Sequence, residues 1–257
     1  KQFMSEFETF EQYLLSLNFH KEWGKYNKEG YENTLEILEK FRLISTNKNE
    51  LDSLEAWNIH LRLLLGFSKE KDKDIKKLDD LTNSVLQNRG NETDYGLRAL
   101  VEFDHLSQDC EIATQNISKA LDIGTNADIF TMAGWIYHPC GDHKKAIKNL
   151  KEAFRLKPID GTYIITTGLV ANWYILGKTE EIKKFLGDKI NNKDMWGPLL
   201  WIYASMELEN GNTKKAKDYF ERARERGAQK FMIMQMLRNE EAAEKLTKSL
   251  ETLGSLD

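Results

Sequence analysis

The chain has 257 residues, 30% of them charged and 40% hydrophobic, with a formal charge of −4. That length is enough to bury a large core, and the slightly acidic balance gives no reason to expect nucleic acid as a partner. No apolar run approaches the ~18 residues that a membrane span needs, so no membrane span is expected. The two cysteines, Cys110 and Cys140, are a poor disulfide framework and favour a reducing, cytoplasmic compartment. The chain opens at Lys1 with no secretory leader, which reads as a fragment or a processed product. Only three prolines occur, at 139, 158 and 198, which suits a chain that is mostly helix.

Taken in chain order, the elements read as six helical hairpins. First helices are expected near 4–27, 51–67, 93–106, 127–138, 161–176 and 196–209. Second helices are expected near 30–45, 70–88, 109–123, 142–157, 178–190 and 212–227. Residues 229–253 would close the stack, with Asn239 as the N-cap of the last helix. The charged stretch 67–80 carries both signs and reads as a solvated turn and helix face. No domain boundary is visible, so residues 1–257 read as a single domain.

Three second helices share one design. In residues 144–157, Ala146, Ile147, Leu150, Ala153 and Phe154 form a helical stripe. Residues 110–124 repeat it with Ala113, Ile117 and Ala120, and residues 214–227 with Ala216, Phe220 and Ala223. In each, the alanines stand seven apart, where a neighbouring helix is expected to pass close. Ala113 to Ala146 is 33 residues and Ala146 to Ala216 is 70, twice 35, with Ile182 in the intervening place. Gly141, Gly177 and Gly211 each lie five residues before that position, and Gly30 lies five before Leu35. A glycine at a fixed offset marks a backbone position that wants positive φ or close approach. A period of 33–36 residues built from two helices and a turn is the mark of a helical solenoid.

These residues resemble the tetratricopeptide repeat. Gly134, Ala146 twelve on, Ala153 seven further and Pro158 five further match its pattern, with Tyr137 and Gly141 also in place. Residues 127–160 match best, 197–230 well, 94–126 moderately, and 161–196 with about two extra residues before the turn. Residues 16–50 and 51–90 look like degenerate hairpins. The resemblance implies an all-α, right-handed helical-hairpin solenoid, clear over 94–230, with degenerate hairpins over 1–90 and a C-terminal cap over 231–257. In their order, residues 54–66, the central repeats, 161–182 and the closing stretch also resemble the region that follows the catalytic domain in bacterial class III adenylate cyclases. That resemblance implies a regulatory or assembly arm of a signalling enzyme, as the alternative to a free-standing scaffold.

"HPCGDH", residues 138–143, sits between the two helices of the best repeat. Pro139 ends the first helix, Gly141 makes the turn and Asp142 is placed to cap the second helix. Zinc needs three or four convergent ligands, and His138, Cys140 and His143 are at most three. A structural turn is therefore preferred to a metal or thiol site. Cys110 begins the preceding second helix, and sequence does not show whether the two thiols approach.

The resemblance puts first helices on a concave, partner-binding surface. That surface would carry Tyr95, Arg98, Glu102 and His105 from one repeat. Asp128, Trp135 and His138 would come from the next, Asn172 and Trp173 from the one after, and Trp201 from the last. His105 and His138 stand one repeat offset apart, and the expectation is ordinary histidine titration near ~6.5. All six tryptophans fall in expected first helices, where core packing competes with a role as groove anchors. Arg98, Thr131 and Ile165, then Glu102, Trp135 and Leu169, replace the Lys and Asn run that clamps a chaperone's C-terminal carboxylate, so no such binding is expected.

No GxGxxG, Walker loop, HExxH or GxSxG occurs, and no catalytic, cofactor-binding or metal-binding residues are expected. The stretch 214–230 has seven Lys/Arg against three Asp/Glu and reads as a solvated face. Residues 1–126 hold 16 basic and 23 acidic residues, and 127–257 hold 21 and 18. That split would orient a partner or promote weak head-to-tail self-association, or it is drift. The expected partner is a protein or peptide segment.

Overall fold

The computed structural model describes residues 9–159, 163–193 and 195–256. The start of the first expected helix, at 4–8, and the start of the helix expected from 161 lie outside the described residues. The chain divides into two compact units, one ending at Thr125 and the other beginning at Asn126. Among the described residues both are all-helical.

The first unit holds α1 (Phe10–Trp23), α2 (Lys28–Ile44), α3 (Lys48–Leu64), α4 (Lys71–Asn88), α5 (Glu92–His105) and α6 (Cys110–Ile123). They pack as three consecutive hairpins, α1 on α2, α3 on α4 and α5 on α6, with each hairpin also touching the next. Side-chain caps set several starts. Asn27, Asn47, Asn91 and Asp109 accept backbone N–H bonds from the first turns that follow them. Such a cap satisfies a donor that the helix cannot, and contributes about 1 kcal/mol. Asn27 and Asn47 explain why α2 and α3 begin two to three residues earlier than the periodicity predicts.

The second unit holds α7 (Ala127–Tyr137), α8 (His143–Leu156), α9 (Ile164–Ile175), α10 (Thr179–Leu186), α11 (Gly197–Glu209), α12 (Thr213–Glu225), α13 (Phe231–Leu237) and α14 (Glu240–Glu251). A short 3₁₀ turn, Gly187–Asn191, follows α10. α7 pairs with α8, α9 with α10 and α11 with α12, and α8 also packs on α9. Ala113, Ala146, Ala153, Ala216, Ala223 and Ile182 are all fully buried, as the periodicity requires. Gly141, Gly177 and Gly211 have φ of +77°, +66° and +77°, a turn conformation that favours glycine. Gly30 serves differently. It lies inside α2, where a Cβ would run into the Glu22 carbonyl oxygen.

Leu150 of α8 fixes the spacing of the central hairpins. It is fully buried. A Cβ on Gly134 of α7 would overlap the Leu150 side chain, and one on Gly168 of α9 would lie 2.8 Å from Leu150 Cδ1. Two first helices thus approach the same leucine through residues without side chains.

The C-terminal segment departs from the expected cap. Residues 229–253 form two helices, broken at Arg238, whose φ is +45°, and Asn239 caps α14 as predicted. α14 packs on α11, with Leu246 and Leu250 fully buried and Gly254 against Phe220 of α12. α13 turns onto α9 and α11 instead of continuing the stack.

Gly134→Ala should destabilise the protein. Helix propensity gains up to ~1 kcal/mol, but overpacking costs about 1–3 kcal/mol against a leucine with no free space. In a Leu150→Ala background the same substitution should be neutral or stabilising. Urea unfolding of the four variants measures this, and the same destabilisation in both backgrounds would show that the two residues do not meet.

Candidate functional site

The "HPCGDH" turn is built as a turn. α7 ends at Tyr137, just before Pro139, and the Gly141 amide bonds the His138 carbonyl at 3.2 Å. Asp142 Oδ1 accepts from Lys145 N at 3.0 Å and caps α8. Hydrogen bonds from Lys145 hold the Asp142 carboxyl below its usual range against the opposing effect of desolvation. Among the described residues, no three His, Cys, Asp or Glu side chains converge as metal ligands would. Neither cysteine is a free thiol, so the cysteine count gives no argument for a reducing compartment.

Above this turn several side chains come together. The His138 ring is buried, and its Nε2 lies 3.2 Å from the Met236 carbonyl oxygen on α13. The Trp135 ring is half-buried, meets His138 edge-on at 5.7 Å, and donates from Nε1 to the Ile164 carbonyl at 3.2 Å. The Arg238 guanidinium stands over the Trp135 ring at 5.7 Å, close enough for a cation–π contact. His143 Nδ1 meets Asn172 Oδ1 at 2.9 Å, and Asn172 Nδ2 donates to the Gly168 carbonyl at 2.7 Å.

Burial corrects the expectation for His138. Its pKa is pushed down to about 4, chiefly by desolvation, with the His143 and Arg238 charges adding to the shift and Asn172 and the Met236 carbonyl opposing it. It therefore does not titrate near ~6.5, and it is not a surface group awaiting an acidic ligand.

The other expected site residues divide clearly. Trp173 is buried against Phe185, with ring centroids 5.3 Å apart, and Trp201 is fully buried. Both serve the core and offer no surface to a partner, because the first helices that carry them are packed on more than one side. Asn172 is likewise fully buried. Asp128 is exposed, and its carboxylate lies 3.9 Å from the Lys157 ammonium.

In the first unit, Tyr95 is half-buried with the Lys119 ammonium 4.3 Å from its ring centre. Arg98 is held by Asp79, Thr82 and Glu102, and Glu102, itself buried, also accepts from Ser107 at 2.6 Å. His105 Nε2 lies 2.9 Å from Nδ1 of the buried His60, whose ring also meets Trp23 and Trp57. Arg98 and Glu102 are thus engaged inside the unit. His60, Trp23 and Arg89 were not expected as parts of a network. Arg89 is the strongest case: it bridges the buried carboxylates of Glu50 and Asp94, with 2.8 Å between its Nε and Asp94 Oδ2. Met236 and Arg238 were also missed, since no local pattern links them to a turn about a hundred residues earlier.

The hairpins of α7 and α8, and the small residues between them, define an all-α helical-repeat protein. A tetratricopeptide repeat family model matches residues 127–160, which span α7, the turn and α8. Those residues are a tetratricopeptide repeat. A search of curated proteins finds no significant match. No helix among the described residues is long and apolar enough to cross a membrane.

Two outcomes follow from the buried ionisable groups. Above pH 7, His138 is neutral both folded and unfolded, so it adds no pH dependence. Below ~6.5 the unfolded chain binds a proton that the folded one refuses until about 4, so stability falls with pH across that window. The loss should reach about 2 kcal/mol at pH 5. Urea unfolding at pH 7.5 and 5.0 should show that difference shrinking in His138→Gln. Arg89→Ala strands two buried carboxylates and should cost about 3–5 kcal/mol. A midpoint shift under about 1 kcal/mol would show that water, and not Arg89, satisfies them.

Proposed function

We propose that this protein is a non-catalytic scaffold whose first helices bind an extended or helical segment of another protein. Tetratricopeptide repeats support an interaction scaffold, and an all-helical repeat fold of this kind is typically non-catalytic. The carrying observation is Trp135. It is a half-buried aromatic on a first helix of the matched repeat, with its N–H satisfied and its ring face already engaging a cation. An aromatic so anchored presents a flat apolar surface at little entropic cost on binding.

Of the residues expected on this surface, Asp128 and Trp135 are the parts of the second unit open to a partner. Asp128 is placed to read a positive group and so fix the direction of a bound segment. His138 and Asn172 act beneath the surface, holding Trp135 and the turn in place. Trp173 and Trp201 support the first helices from within.

A displayed library of random peptides, selected on the purified chain, tests the reading. Selected peptides should lose about 2 kcal/mol of affinity, close to 30-fold, on Trp135→Ala, with helicity unchanged by circular dichroism. Peptides that bind Trp135→Ala as tightly as the parent would place the site elsewhere, most simply on the basic stretch 214–230.

A further inference from the structure

After α12 the two closing helices, α13 and α14, both turn onto first helices. α14 lies on α11, with an ion pair of 2.9 Å between Lys245 and Glu209. α13 lies on α9, on α11 and at the end of α7. These are first helices, the elements assigned above to partner binding.

The contact has the chemistry of a bound peptide. Ile233, Met236 and Leu237 are buried on one edge, at i, i+3 and i+4, the spacing by which a short helix seats itself in a groove. Phe231 and Met234, on the other side, are 54% and 45% exposed. The polar contacts come from α7: the Met236 carbonyl meets His138 Nε2, and the Arg238 guanidinium covers Trp135. The half-buried Trp135 of the proposed site is therefore already occupied by a cation from the chain itself.

The segment is weakly held. Seven residues cannot sustain a helix alone, since isolated helices shorter than ~12–15 residues are marginal in water. α13 has no side-chain N-cap. It lies between two positive-φ positions, Gly227 at +72° and Arg238 at +45°, where the chain changes direction. Its methionines can repack against altered neighbours.

We propose that α13 occupies the first-helix face of this unit in cis, and that the partner is a short amphipathic helix of like chemistry that replaces it. Such a helix carries aliphatic or methionine side chains at i, i+3 and i+4, followed by a cation for Trp135. The proposal rests on the reading that first helices bind the partner, and it adds the class of partner and the competitor built into the chain.

The test uses the full chain and a fluorescein-labelled peptide of residues 229–240. Ile233→Glu/Leu237→Glu should free α13 from its seat. That variant should bind the peptide at least tenfold tighter than wild type, and adding Trp135→Ala should abolish the gain. Equal binding by a folded variant would overturn the proposal. If the double variant does not fold, hydrogen exchange of the wild-type chain decides. α13 amides should exchange at least 100-fold faster than those of α9 and α11, and α13 protected as well as α11 would overturn the proposal. Library-selected peptides that bind wild type through Trp135 while α13 stays protected would overturn displacement but leave the scaffold reading standing. Peptides that ignore Trp135 altogether would remove the reading on which it rests.

Discussion

The second unit is organised by what is missing between its helices. Gly134 on α7 and Gly168 on α9 bring two first helices onto the same buried leucine, Leu150 of α8. Helices normally stand 8–10 Å apart, with the spacing set by the side chains at their contact. Here two glycines contribute no side chain to that contact. The consequences are visible around it: Trp135 reaches the Ile164 carbonyl, and His143 reaches Asn172, each across the seam between one hairpin and the next. A methyl group at either glycine would run into the Leu150 side chain between them. The candidate site is thus a by-product of close packing beneath it.

The two units hold together by different means. The second is a large apolar cluster built from Leu, Ile, Trp and Met. The first buries many polar groups, among them Gln12, Thr34, Glu50, Asn58, His60, Asp94 and Glu102. These are satisfied by one another: Asn58 donates to Thr34, Gln12 to the Ile44 carbonyl, and Arg89 to Glu50 and Asp94. Interactions of this kind specify partners more than they add stability, because desolvation offsets most of the Coulomb attraction. They fix which helix faces which where the alanine pattern of the repeat has faded.

Much of this was legible in the sequence. The period of 33–36 residues, the alanines seven apart and the glycine before each second helix located the hairpins, because each reports a local steric need. Asp142 and Asn239 were readable as caps for the same reason. The site was less legible. Trp173 and Trp135 share a helix type and a similar setting in the sequence, yet one is core and the other half-open, and only the packing of α10 on α9 decides between them. His138 looked like a titrating surface group because nothing near it in sequence announced that Met236 would cover it. The closing stretch was read as a cap with Asn239 starting its last helix, and the left-handed backbone at Arg238 makes the break just before it.

The reach of α13 also has a consequence in time. Repeat helices find partners that have just been made, so hairpins can form in the order they leave the ribosome. The bond between His138 and Met236 spans 98 residues. At ~5–20 residues per second, α7 waits roughly 5–20 seconds before α13 exists to cover it. From the completion of α9 until then, the face of α7 and α9 is complete in outline and uncovered by α13. A nascent chain of this protein therefore passes through a stage that the finished molecule hides.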